Sequence, residues 1–198
     1  MKRTLLTTPI LAPLLRAVAV FFAWLLGWKM PKEVPPLTKA VMIGAPHTSN
    51  WDFFVMLMAV LITRYDVSWI GKHTLFKAPF GPLMRWLGGI PHDRSKSSGF
   101  VNQIVDHFNQ RERLLVVIAP EGTRKPVEKW HTGFYYMALE AHVPIVLTYM
   151  DYKKREVGIH AIEMPSGNVE ADIQRYQHFY ATKAGKIPSN YFGYVGEE

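Results

Sequence analysis

Apolar residues fall in two patterns along the chain. Residues 40–44, 67–71, 114–119, 144–150 and 157–162 are short runs dominated by Val, Ile, Leu and Ala. All read as strands, and the continuous run at 114–119 has the composition of one buried on both faces. Between them lie longer segments with a helical stripe. In residues 95–110 the apolar side chains are Phe100, Val101, Ile104, Val105 and Phe108, and polar residues fill the rest. Residues 51–63, 133–142 and 169–183 complete the helical set, the first opening behind Ser49 or Asn50 as cap. Strands separated by helices predict an α/β fold: a single domain with a largely parallel central sheet flanked by helices.

The N-terminal pattern is different. Residues 9–28, "PILAPLLRAVAVFFAWLLGW", approach the ~20 apolar residues that a membrane-spanning helix needs. Arg16 interrupts the run, however, and Pro9 and Pro13 weaken its start. The cleaner stretch, 17–28, is short for a span. Trp24 and Trp28, followed by Lys29 and Lys32, suit a helix lying in or dipping into one leaflet. A true span, and a buried helix or signal segment, are the alternatives. Residues 31–39, "PKEVPPLTK", form a Pro-rich linker that helix cannot enter. The expected organisation is therefore an anchoring helix and linker over 1–39 and a catalytic-type domain over 40–198.

Composition narrows the class. A chain of 198 residues suits one domain with a real core. With 48% hydrophobic residues and a mean hydropathy of −0.01, it is neither disordered nor a multi-span membrane protein. There is no cysteine, which removes disulfides, thiolate metal sites and Cys nucleophiles. Of its 23 bases, Lys2, Arg3, Arg16, Lys29, Lys32 and Lys39 precede residue 40, against Glu33 alone. Most of the net charge of +7 thus flanks the greasiest segment. That distribution points to an anionic membrane surface and away from nucleic acid.

Three stretches carry chemistry. In "GAPHTSNWDFFVM", His47 precedes a helix start and Asp52 falls in its first turn, where the helix dipole favours a negative charge. Five residues apart on one helix, the two would diverge. With His47 in the loop, its ring can fold back on the carboxylate, which would fix its tautomer and stabilise its charged form. An Asp in a first turn beside an unrelated His is the simpler alternative on spacing alone. In "GKHTLFKAPFGPLMRWLGGIPHDR", Arg94 follows a short apolar run and Pro91, as at a strand end, where an arginine fork can clamp a phosphate. His73 and His92 stand in the same stretch without a second ligand at metal-site spacing, so no metal is expected. In "VVIAPEGTRKPVEKWHTGF", a buried strand ends in Glu121, Gly122, Thr123 and Arg124. Ligand sites in open α/β sheets lie outside such carboxyl ends.

Taken in order, His-x4-Asp, the Gly/Pro/aromatic stretch ending in Asp93-Arg94, Pro-Glu-Gly-Thr-Arg at 120–124 and "VPIVLTYM" at 143–150 resemble the glycerolipid acyltransferase family. That family includes 1-acylglycerol-3-phosphate acyltransferases. The resemblance implies that His47 is a general base oriented by Asp52. It implies acyl transfer from a thioester, acyl-CoA or acyl carrier protein, to the hydroxyl of a lysolipid such as 1-acylglycerol-3-phosphate, with no cofactor. Because the substrate hydroxyl attacks, no enzyme nucleophile is needed. Arg94, Glu121, Gly122, Thr123 and Arg124 would form the acceptor-binding floor. Membrane association at the cytoplasmic face, monotopic or peripheral, is expected with it.

The sequence departs from the family pattern at three places. Ala119 precedes Pro120 where an aromatic is usual, Lys125-Pro126 follow Arg124, and Leu147 replaces a frequent second proline. These changes bear on the acceptor headgroup and leave the dyad intact. A thioesterase or lipid hydrolase using the same dyad, and a catalytically silent lipid-binding membrane protein, are the competing expectations.

Overall fold

The structure, a computed structural model, describes residues 4–93 and 99–195. Six strands form one sheet in the order β3-β2-β4-β1-β5-β6. They are β1 (Lys39–Ala45), β2 (Val67–Lys72), β3 (Gly89–His92), β4 (Leu114–Ile118), β5 (Ile145–Asp151) and β6 (Glu156–Glu163). Every pairing is parallel except the last, β5 with β6, which is antiparallel. The expected single, largely parallel α/β domain is what forms. Two elements were not resolved from the apolar pattern. One is the short helix α3 (Gly81–Trp86), and the other is edge strand β3, seen only as an apolar run before Asp93.

Period-two alternation on the central strand divides the interior. From β1, Val41, Ile43 and Ala45 point to one side, and Ala40 and Met42 to the other. The first side is covered by α4 (Phe100–Gln110), α5 (Gly133–Glu140) and α6 (Val169–Ala181). Phe100, Ile104 and Phe108 of α4 recur four apart and are all buried there. Full burial of a side chain of this size contributes about 1.5–3 kcal/mol. On α6, Asn168 caps the first turn by accepting the Ala171 N–H at 3.2 Å, and Tyr176 and Tyr180 face the core.

The second side is covered by Val60 of α2 (Trp51–Thr63), Tyr65 just after it and Leu37 of the linker. Helix α1 (Leu11–Leu25) lies outside α2, joined to it by a separate cluster of Leu5, Ala19 and Leu61. Arg16, which breaks the apolar run in sequence, donates its Nε to the carbonyl of Ile62 at 3.2 Å, satisfying the end of α2. Pro13 falls within the first turn of α1, where its missing N–H costs little. No helix among the described residues is long and apolar enough to cross a membrane. Outer residues of α1 are nonetheless open to solvent, with Trp24 75% and Phe21 54% exposed.

Candidate active site

Strands β4, β1 and β5 are adjacent and parallel, so the loops leaving their carboxyl ends meet. Those loops begin at Ala119, Pro46 and Tyr152. This topology, rather than proximity in sequence, assembles the site.

The loop after β1 carries His47, held by two carboxylates. Its ring Nδ1 lies 3.0 Å from Asp52 Oδ2. The same oxygen accepts the backbone N–H groups of Thr48 and Ser49, each at 2.9 Å. With those donors fixed on a carboxylate, Nδ1 is the protonated nitrogen and Nε2 is left as the acceptor. Asp52 is 2% exposed and sits in the first turn of α2. It therefore acts both as helix-start acid and as partner of His47: the two readings of the sequence are one contact. Asn50, at the cap position, makes no side-chain capping bond, while Ser49 Oγ accepts the Trp51 N–H at 3.2 Å.

Glu121, from the loop after β4, is 4% exposed. Its Oε1 accepts the backbone N–H of His47 at 2.9 Å. Burial pushes its carboxyl up to about 7, opposed by the hydrogen bond from His47. Its other oxygen has no hydrogen-bond partner among the described residues. Gly122 follows with φ +63°, a conformation glycine adopts without strain, and turns the chain outward. Gly122, Thr123 and Arg124 then line a cleft together with His47 and Asp52. Thus Glu121 lies beneath the histidine loop while its three successors face the open site. Arg94 falls outside the described residues.

Three residues that the sequence did not point to also hold this loop. Tyr152, after β5, donates its hydroxyl to Asp52 Oδ1 at 2.8 Å. Near the C-terminus, the Ile187 N–H reaches Thr48 Oγ1 at 3.2 Å and Asn190 Nδ2 reaches the Thr48 carbonyl at 3.3 Å. Gly185 packs so closely on Thr48 that a Cβ there would meet its Cγ2 at 2.5 Å. Nothing in spacing or composition marks these partners, which lie 100 to 142 residues from the groups they contact.

The cleft has a volume of about 1540 Å³ and is mostly apolar, with Phe53, Leu57, Trp69 and Met84 among its walls. Phe54, Leu75 and Leu83 line it while remaining about half exposed, and Trp51 and Phe80 are exposed near them in sequence. Among the described residues there is no cluster of His, Cys, Asp and Glu that could hold a metal ion.

Residues 29–150 match the family model described as Acyltransferase. The chain belongs to the Acyltransferase family. It is similar to the 1-acyl-sn-glycerol-3-phosphate acyltransferase of Escherichia coli (strain K12), with 29% identity over 136 residues, 65% of this chain and 54% of the relative. It is also similar to the 1-acyl-sn-glycerol-3-phosphate acyltransferase beta of Homo sapiens, with 31% identity over 153 residues, 73% of this chain and 52% of the relative. The chain spans about half the length of these curated relatives. No solved structure matches it significantly. Within this acyltransferase-family chain, Ala119 lines the cleft, so the missing aromatic bears directly on its shape. Leu147 is buried in β5 opposite Ile43 and beside a register shift, in the interior of the sheet.

Proposed function

We propose that this chain is an O-acyltransferase of the lysophospholipid type, moving a fatty acyl group from an acyl thioester to the hydroxyl of a lysolipid. The names of its relatives make 1-acylglycerol-3-phosphate the first acceptor to consider. The observation that carries the reading is the His47 Nδ1 to Asp52 Oδ2 contact of 3.0 Å at the wall of a large apolar cleft.

In this mechanism Nε2 of His47 takes the proton of the lysolipid hydroxyl as its oxygen attacks the thioester carbonyl. Asp52 holds the ring and stabilises the imidazolium that forms. The tetrahedral intermediate collapses with cleavage of the C–S bond, and the imidazolium of His47 returns its proton to the departing thiolate, regenerating the neutral base. The nucleophile is the substrate's own hydroxyl. Thr48 is 1% exposed with its oxygen turned to Ile187, and the oxygen of Ser49 faces the start of α2. Neither is placed to carry an acyl group.

Glu121 fixes the backbone of His47, and Thr123 and Arg124 supply the polar edge of the cleft where an acceptor headgroup binds. The acyl chain occupies the apolar part. Exposed Phe21 and Trp24 on α1, and exposed Phe54 and Phe80, are apolar side chains suited to resting on a bilayer, from which a lysolipid would enter without crossing water. Coenzyme A and acyl carrier protein are both donors of the right chemistry.

The test is acyl transfer from a labelled long-chain acyl-CoA to a panel of lysolipids, comparing wild type with His47→Ala. Acceptor-dependent product, reduced in the variant by about 10²–10⁴-fold, is expected. Free fatty acid formed regardless of acceptor would make the chain a thioesterase or hydrolase. No turnover with any pair would make it a lipid-binding protein.

A further inference from the structure

His47 accounts for only one oxygen of Asp52. The other, Oδ1, is buried and receives the hydroxyl of Tyr152 at 2.8 Å. Tyr152 follows β5 directly, and the protein holds it from several sides. Its N–H donates to the Ala184 carbonyl at 2.8 Å. The ring of Trp28, just past α1, meets its ring edge-on with centroids 5.0 Å apart. Lys186 Nζ stands 5.7 Å from its centroid. Burial and the charge of Asp52 raise the phenol well above its ordinary value, so it stays protonated and donating at any working pH. Tyr152 does not line the cleft. It also lies past residue 150, where the match to the family model ends.

We propose that Tyr152 is a positioning residue of this enzyme, tethering Asp52 through Oδ1 so that Oδ2 is aimed at His47, and moderating the charge that Asp52 presents to the imidazole. The proposal rests on the reading of His47 and Asp52 as the catalytic dyad. A donor shared with the carboxylate weakens its hold on the imidazolium. Without the hydroxyl, Asp52 binds the charged ring more tightly, and His47 gives up its proton at a higher pH.

The charged and titratable groups around Asp52 are His47 on its own loop, Glu121 from the β4 loop, Tyr152 and Asp151 from the end of β5, and Lys186 from the C-terminal segment. Asp151 is turned away, accepting the backbone N–H groups of Lys153 and Lys154. Glu121, whose carboxyl burial raises to about 7, is common to every protein compared below.

The experiment uses the full chain in four forms: wild type, Tyr152→Phe, 3-fluorotyrosine incorporated at position 152, and His47→Ala. Transfer from palmitoyl-CoA to lysophosphatidic acid is followed against pH. The phenylalanine variant keeps the ring and its contact with Trp28 and removes one donor. It should lose about 10-fold in kcat, the worth of one hydrogen bond to a charged group, with KM for both substrates unchanged. The acid limb of kcat/KM should move up by about half a unit. Fluorotyrosine, a stronger donor of nearly the same size, should move that limb down and carries the test if the phenylalanine variant does not fold. In the substrate-free chain, the downfield proton resonance of His47 Nδ1 should shift in both Tyr152 variants and vanish in His47→Ala.

An unmoved limb and an unmoved resonance in both Tyr152 variants, with His47→Ala inactive, would overturn the role of Tyr152 and leave the dyad standing. Activity retained in His47→Ala would overturn the dyad itself.

Discussion

Glu121 Oε1 accepts the backbone N–H of His47 at 2.9 Å, joining residues 74 apart in sequence. The contact ties the loop after β4 to the loop after β1. It places a buried carboxyl beneath a histidine whose other face is gripped by Asp52. Each carboxylate restrains a different part of the residue, one the main chain and one the ring.

The buried position of Glu121 has a measurable consequence. Its carboxyl is raised from the ordinary 4.5 to about 7. A raised carboxyl means that the folded state binds its proton more tightly than the unfolded state. The stability associated with that proton is full below about 4.5 and is lost as pH rises through about 7. The loss amounts to about 3 kcal/mol for a shift of this size. Urea unfolding of wild type between pH 5 and 8 should show this decline, and Glu121→Gln should flatten it. Parallel stability curves for the two proteins would show that Glu121 does not titrate on folding.

Asp52 holds the histidine loop and, in the proposed mechanism, also serves the reaction, so its replacement should register in both. Asp52→Asn keeps the shape but removes the charge that three backbone or ring N–H groups and Tyr152 now share. The amide can also set His47 in the wrong tautomer. Turnover should fall by about 10³–10⁴-fold with a smaller change in KM. Unfolding should shift by about 1–3 kcal/mol from the weakened hydrogen bonds. An effect on KM alone would place Asp52 among the binding residues.

The sequence was most informative where partners are near one another or repeat with a regular period. The strand and helix order follows from local hydrophobic pattern, and His47 and Asp52 meet because a loop and the first turn of one helix suffice to join them. The exceptions are instructive. Edge strand β3 is short and half-covered, so it lacks a buried apolar signature. Tyr152, Ile187 and Asn190 reach the histidine loop only because β5 neighbours β1 and the C-terminal segment returns over it. Sheet order, which no single segment encodes, decides that. Glu121 was visible as a strand-end carboxylate, but whether it faced ligand or loop depended on the turn at Gly122.

Arg124 offers a separation between acceptor and donor. It is exposed at the polar edge of the cleft, beside Thr123 and within the same cavity as His47. Arg124→Ala should raise KM for a phosphate-bearing acceptor such as lysophosphatidic acid by about 10-fold, the worth of one charge-assisted contact. KM for the acyl thioester should stay unchanged. Replacement by Lys should restore part of the loss, because the charge returns without the fork. An equal rise in both KM values would mean that Arg124 shapes the cleft rather than binding a headgroup.

Membrane docking is best tested without removing α1. That helix shares a core with α2 through Leu5, Ala19 and Leu61, and its Arg16 satisfies the end of α2, so truncation would damage the wall of the cleft as well as any anchor. Phe21 and Trp24 are better probes, because they are 54% and 75% exposed and lie outside that shared core. Replacing both with Asp adds charge to the outer face, where burial against α2 is not disturbed. Binding to vesicles containing anionic lipid should fall by at least 10-fold, since two large apolar side chains are lost and two repelled charges gained. The melting temperature should stay within a few degrees, as expected for exposed positions. Turnover of a short-chain, micelle-free substrate should persist, which separates docking from chemistry. Vesicle binding equal to wild type would move the docking face away from α1, toward the exposed Phe54, Phe80 and Leu83.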